Sequence, residues 1–159
     1  MPVNYIQRTT AAYSAQGFQP YQWSSFDDAP FTPLGKPLSE CRIGVLSTAG
    51  VFLPDQQPFN PDRDDFTFRD IPRSITSADV LINHNNYDHT DAMQDINCVI
   101  PVKALEVLEK EGYVKGFAEP IITMMGRVFR RSILTREMCP YLHQRFQEME
   151  VDAVLLIPV

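Results

Sequence analysis

The densest group of chemistry-bearing side chains is His84-Asn-Asn-Tyr-Asp-His-Thr-Asp91, followed closely by Asp95 and Cys98. Two imidazoles five residues apart, with carboxylates between and after them, offer donors to a divalent metal, a polar substrate or nearby backbone amides. The spacing matches no closed structural zinc pattern and lacks the i, i+4 placement of a helical metal pair, so no metal is expected. Asp88, Thr90 and Asp91 read first as turn and helix caps, because short polar side chains bond adjacent amides readily. His84, Tyr87 and Asp88 are also candidates for a substrate-facing cluster. Cys98 stands just before a helix, where the N-terminal dipole would favour a thiolate; its neighbours Ile96, Val99 and Ile100 favour instead a buried, inert thiol.

Ser47-Thr-Ala-Gly-Val-Phe52 is the second candidate, with Thr48 and Gly50 in a tight turn. It is not Gly-x-Gly-x-x-Gly, and no Gly-Lys-Ser/Thr occurs, so dinucleotide and P-loop binding have no motif support. The turn is either purely structural, with Gly50 at positive φ, or a small-anion contact through amides and hydroxyls. Arg69 could hold a carboxylate by a bidentate pair, or be neutralised by Asp64, Asp65 or Asp70. Arg127, Arg130 and Arg131 form either a solvated face or a local anion contact.

The elements that must position these groups read as an α/β domain. Arg42 to Gly50 is a first buried strand and Asp79 to His84 a second, parallel-type strand. Pro101 to Glu111 is an amphipathic helix stopped by Gly112. Tyr113 to Ala118 is a third strand, Leu134 to Met149 a second long helix, and Val151 to Pro158 a last strand. Residues 51 to 78 contain four Pro and only a short strand-like run, Phe66 to Arg69, so an elaborated loop replaces a simple crossover. The order predicts an open, mainly parallel sheet with flanking helices in three Rossmann-like layers. Residues 1 to 40 form an extended N-terminal arm, with a short helix over 3 to 16 and an aromatic, Pro-rich run from Phe18 to Pro37 suited to wrapping a domain or partner. Residues 41 to 159 form the α/β domain.

Composition bounds the partners. With 44% hydrophobic residues and a net charge of −6, the chain should fold around a core and shows no basic footprint for nucleic acid or anionic membrane. No long apolar run marks a membrane span, and three widely spaced cysteines fit a reducing compartment, so a cytoplasmic protein is expected.

Taken in order, Ser47-Thr-Ala-Gly-Val, Phe59-Asn, Phe66-Thr-Phe-Arg-Asp-Ile-Pro72, His84-Asn-Asn-Tyr-Asp, Asp95-Ile-Asn-Cys-Val-Ile-Pro, Glu111-Gly-Tyr-Val and Val151-Asp-Ala-Val-Leu-Leu resemble the selenoprotein B family of glycine, sarcosine, betaine and D-proline reductases. The resemblance covers about residues 40 to 159, and the aromatic front from Tyr21 to Leu34 is similar too. It implies an oxidoreductase of amino-acid metabolism that cleaves a C–N bond α to a carboxylate with a selenol or thiol nucleophile. It also implies a pyruvoyl-containing partner subunit, a thioredoxin-type electron donor, an oligomeric assembly and a small amine or amino-acid substrate. In the family the selenocysteine or cysteine directly follows the Val-Asp-Ala-Val-Leu-Leu strand. No catalytic residue is therefore expected within this chain; the nucleophile is expected directly after Val159, the domain being C-terminally incomplete. Asn85 and Asn86 stand where the family has Gly, a departure that bears on the substrate more than on the fold. On the resemblance, Thr48, Gly50, Arg69, His84, Tyr87 and Asp88 are the substrate-side candidates and Cys98 a possible thiol. Two other classes compete: a non-catalytic α/β module that binds a small carboxylate or a larger subunit, and a metal-assisted hydrolase built on His84, Asp88 and His89.

Overall fold

A computed structural model describes residues 4–20, 23 and 25–159. The chain divides into two compact units, Met1–Pro33 and Leu34–Val159. In the first, α1 spans Tyr5–Ala15; Asn4 caps it by accepting the Gln7 amide, and Gly17 ends it at φ 80°. The arm expectations for residue 3 and for Tyr21, Gln22 and Ser24 lie outside the described residues.

The second unit is built around β1 (Arg42–Ser47), whose last five residues are buried. The chain then forms β2 (Val51–Phe52), β3 (Phe68–Ile71) and β4 (Leu81–Ile82), followed by the short helix α2 (Thr90–Gln94) and α3 (Val102–Lys110). Next come β5 (Gly116–Phe117), β6 (Ile121–Met124), the short helix α4 (Arg131–Ile133), a π-turn over Leu134–Met138, α5 (Cys139–Glu148) and β7 (Ala153–Ile157).

One edge of β1 pairs in parallel with β7 along Ile43–Ser47. The other edge pairs in parallel first with β5 and then with β6, two halves of one path broken at Glu119–Pro120, where proline supplies no amide donor. Antiparallel β3 closes the sheet beyond β6. The mainly parallel open sheet is therefore the architecture expected of the sequence.

Period-2 alternation assigns the faces. Ile43 and Val45 pack with Val102, Leu105 and the segment Ile96–Ile100 on one side. On the other side Leu46 and Ile122 pack with Met138, Leu142 and Phe146. Gly44 faces α5 so closely that a Cβ there would stand 2.7 Å from the Phe146 ring. The connection leaving β1 thus runs to the α3 face, and the one leaving β6 runs to the α5 face. Adjacent parallel strands whose connections part to opposite faces open a crevice at their carboxyl ends.

Four elements differ from expectation. Asp79–His84 is no parallel strand: only Leu81–Ile82 pair, antiparallel to β2 in a separate two-stranded ribbon, because Gly50 turns the chain back across the end of the main sheet. Strand β6 was not anticipated, although Ile121-Ile-Thr-Met124 is wholly buried between Pro120 and Gly126. The short strand falls on Phe68–Ile71 rather than Phe66–Arg69. The helix expected over Leu134–Met149 opens as a π-turn and becomes α-helical only at Cys139, with Pro140 in the first turn, where its missing donor is tolerated.

Candidate functional site at the carboxyl ends of the sheet

Thr48 is the junction of three strand ends. Its carbonyl accepts the Gly126 amide after β6 at 3.0 Å, and its amide donates to Ile157 of β7 at 3.1 Å. Its Oγ1 accepts the Val159 amide at 2.9 Å. The crevice between β1 and β6 therefore also receives the chain leaving β7. Gly126 stands so near that a Cβ would lie 3.0 Å from Thr48 Oγ1.

The Ser47–Gly50 turn is tied down from within. Ser47 Oγ, fully buried, donates to Val99 O at 2.9 Å, and Thr123 Oγ1 donates to Val51 O at 2.6 Å. Gly50 has φ 69°, and a Cβ there would stand 2.7 Å from the Asn83 carbonyl, so two constraints require glycine. The Ala49 amide donates to Ser47 Oγ at 3.4 Å and the Gly50 amide to Met124 O at 3.0 Å. With the Thr48 amide also engaged, the turn's amides are all occupied, and the Thr48 hydroxyl is the group that meets the chain leaving β7.

His84 and Tyr87 pack against this turn. His84 is 5% exposed, and its Nδ1 accepts the Asn86 amide at 3.0 Å, which places the proton of the neutral ring on Nε2. Nε2 is buried and has no hydrogen-bond partner among the described residues. Burial, and secondarily the neighbouring His89, lower the His84 pKa below its ordinary value. Tyr87 donates to Ala49 O at 3.0 Å, and burial pushes its phenol up to about 12, so it stays protonated. Its ring touches both imidazoles, at centroid distances of 4.9 Å to His84 and 5.8 Å to His89. The phenol thus sits against both imidazoles, and among the described residues no three His, Cys, Asp or Glu side chains form a metal-binding group. Asp88 accepts the Thr90 hydroxyl and amide at 2.7 and 3.0 Å, bonds that hold its carboxyl below the usual range; it closes the turn into α2.

Arg69 is committed to holding a loop. It donates to Gln57 O at 2.7 Å and to Phe68 O and Thr67 Oγ1 at 2.8 Å each, and its guanidinium lies 4.3 Å from the Phe59 ring centroid. Arg69 makes no direct ion pair with an aspartate among the described residues, but it reaches Asp65 through the Thr67 hydroxyl; against partial desolvation, the Thr67 and Asn60 bonds and, after them, the Arg69 charge hold the Asp65 carboxyl below the usual range. Asp65 accepts the Asn60 and Thr67 amides, Asp70 pairs bidentately with Arg145 at 2.9 and 3.0 Å, and Asp64 accepts the Phe129 and Arg130 amides at 3.2 and 3.0 Å. Partial desolvation works against ionisation of Asp64, but those amides, with Arg127 and Arg130, hold its carboxyl below the usual range.

Cys98 is exposed, contrary to the preferred expectation of a buried thiol: the turn Ile96–Cys98 buries Ile96 and turns the cysteine outward. Cys41 is the buried one, its thiol donating to Pro37 O at 3.3 Å. Beside the crevice, a cavity of about 670 Å³ opens between β3 and the π-turn, lined by residues including Phe66, Phe68, Met138, Tyr141 and Arg145.

Comparison with known proteins identifies the module. The model of the glycine/sarcosine/betaine reductase selenoprotein B family matches residues 16–158. The chain belongs to that family. Among its relatives, the D-proline reductase subunit gamma of Acetoanaerobium sticklandii is 34% identical over 126 residues, covering 79% of this chain and 52% of the relative. The sarcosine reductase complex component B subunit beta of Peptoclostridium acidaminophilum is 26% identical, covering 67% of this chain and 25% of the relative. The glycine reductase complex component B subunit gamma of Symbiobacterium thermophilum is 27% identical, covering 86% and 32% respectively. The chain thus spans from a quarter to about half the length of these relatives. No solved structure matches it. Among the described residues no helix is long and apolar enough to cross a membrane.

Sequence reasoning overlooked Thr123 and Gly126, which help to assemble the crevice; Ser47 and Asn86 lie within the motifs it named, but their roles in anchoring the turn and fixing the His84 tautomer were not read. Small polar residues at the end of an apolar run, as in Leu46-Ser-Thr and Ile122-Thr, were the available signal.

Proposed function

We propose that this chain is the scaffold of a subunit that reductively cleaves a C–N bond α to a carboxylate in a small amine or amino acid, within a multi-subunit complex. The observation that carries this reading is the convergence on Thr48 of the ends of β1, β6 and β7, the place where an open parallel sheet offers its reactive groups. A selenol or thiol directly after Val159 would supply a soft nucleophile that ionises at neutral pH. A pyruvoyl carbonyl on a partner subunit would hold the substrate amine, and a thioredoxin-type dithiol would supply the two electrons.

The residues of this chain position and enclose that chemistry. Thr48 Oγ1 fixes the Val159 amide and so the direction in which the next side chain leaves the sheet. Gly126, lacking a Cβ, leaves the approach to Thr48 open. Tyr87 and His84 stay neutral beside the turn, Tyr87 donating to Ala49 O, and Phe52, Phe59 and Met125 form a buried apolar cluster. A dry, preorganised surround strengthens each polar contact made to a reacting group.

The test is alkylation mapping of the full-length gene product at pH 6, combined with turnover of glycine, sarcosine, betaine and D-proline by its complex. The reading expects fast alkylation of a selenol or thiol directly after Val159 and reductive cleavage of at least one of these amines. Labelling confined to Cys98 and Cys139, with no cleavage, would refute it.

A further inference from the structure

We infer that Arg127 is the residue that binds the substrate carboxylate, a role resting on the reductase reading above. Arg127 directly follows Gly126, whose amide is bonded to Thr48 O, so its backbone belongs to the crevice wall. Its charge is incompletely matched. Among the described residues its one ion contact is Asp64 Oδ1 at 4.0 Å, beyond hydrogen-bond length, and Nη1 is buried without a hydrogen-bond partner. Asp64 cannot close that gap cheaply, because the same carboxylate accepts the Phe129 and Arg130 amides and faces the Arg130 guanidinium at 3.8 Å.

The side chain is nonetheless held in place. Its guanidinium carbon lies 4.8 Å from the Phe129 ring centroid, and the side chain keeps 24% of its surface exposed. A planar fork held on an aromatic face, on a side chain that keeps part of its surface exposed, is suited to a carboxylate, which it grips by two parallel bonds. Arg69, the sequence-based candidate, has Nε and Nη1 committed to Gln57, Thr67 and Phe68. In a chain of net charge −6, an anionic substrate is drawn to the crevice by a local cation, and Arg127 is the residue after Gly126, whose amide is bonded to Thr48.

The test is calorimetric titration of the full-length subunit in its complex with D-proline, sarcosine and glycine, and with pyrrolidine, dimethylamine and methylamine, which lack the carboxylate. Wild-type protein is expected to prefer at least one amino acid over its carboxylate-free counterpart by about tenfold or more. Arg127→Met should remove that preference, and Arg127→Lys, a point charge without the fork, should lose most of it. Should the Met variant not fold, as judged by its thermal melt, the Lys variant carries the test. A wild type without the preference, or a folded variant that keeps it, overturns the inference. Turnover on the same samples separates the two claims. Cleavage with preference intact in the variants removes Arg127 and leaves the reductase reading. An Arg127-dependent preference without cleavage by wild type does the reverse.

Discussion

The two edges of β1 carry neighbours of similar composition in opposite settings. On one edge, Ile121-Ile-Thr-Met124 is entirely buried, covered by Leu142 and Phe146 on one face and tied by Thr123 to β2. On the other edge, Ala153-Val-Leu-Leu-Ile157 is paired with β1 through all five residues, yet Val154 and Leu155 are 37% exposed and Leu156 is 64% exposed. A five-residue apolar run in a parallel sheet ordinarily has cover on both faces. Hydrogen bonding therefore places β7, whereas burial places β6, and the outer edge and faces of β7 present a surface suited to further polypeptide.

The contrast is sharpest in stability. Ile122→Ala should cost about 2–5 kcal/mol in urea unfolding, since it empties a fully buried site. Leu156→Ala should fall within about 0.5 kcal/mol in the isolated chain, as for exposed positions generally. Equal penalties would abolish the distinction. Leu156→Lys should act on association instead: sedimentation of the 159-residue chain should show self-association that the lysine reduces. A wild-type chain that stays monodisperse at high concentration would show that the β7 surface needs no cover.

Gly44 tests the well-packed side from the other direction. A Cβ there would meet the Phe146 ring at 2.7 Å and Val151 at 3.1 Å, so Gly44→Ala should destabilise by about 1–3 kcal/mol through overpacking. A neutral result in denaturant titration would mean that α5 is free to move away from β1. Ser47→Ala should cost about 1 kcal/mol, because it leaves the buried Val99 carbonyl without its donor.

The smallest effect is a pH slope. The folded-state pKa of His84 lies below its unfolded value, so the unfolded chain binds the extra proton first and stability falls as pH drops below about 6.5. The loss ends once pH passes below the lowered folded value. His84→Gln should flatten this window in melts taken from pH 7 downward. An unchanged slope would assign it to other groups.

How much of this was legible in sequence follows from the same physics. The strand at Arg42–Ser47, the helix ended by Gly112 and the last strand announce themselves through local period and stop signals. Strand β6 did not, because four residues between Pro120 and Gly126 give too little period to separate strand from turn. Asp79–His84 misled in the opposite way: its apolar run is real, but Gly50 redirects the partner strand, and that is decided by tertiary contact. The candidate residues show the same division. Placing Thr48 and Gly50 after β1 needed only the rule for strand ends. The capping role of Asp88 was legible too, being made to Thr90 two residues on. The hold of Arg69 on Gln57 and the setting of Arg127 beside Asp64 depend instead on residues distant in sequence. Spacing alone carries no information about such contacts.

The central claim is that the crevice organised by Thr48 is where the reaction takes place. Its most direct test is amine-dependent turnover of the assembled complex carrying Thr48→Val, a near-isosteric change that removes the acceptor of the Val159 amide. The account predicts an intact complex with kcat lowered by about tenfold or more, the equivalent of roughly 1.4 kcal/mol of transition-state stabilisation. Turnover equal to wild type in a correctly assembled complex would contradict it.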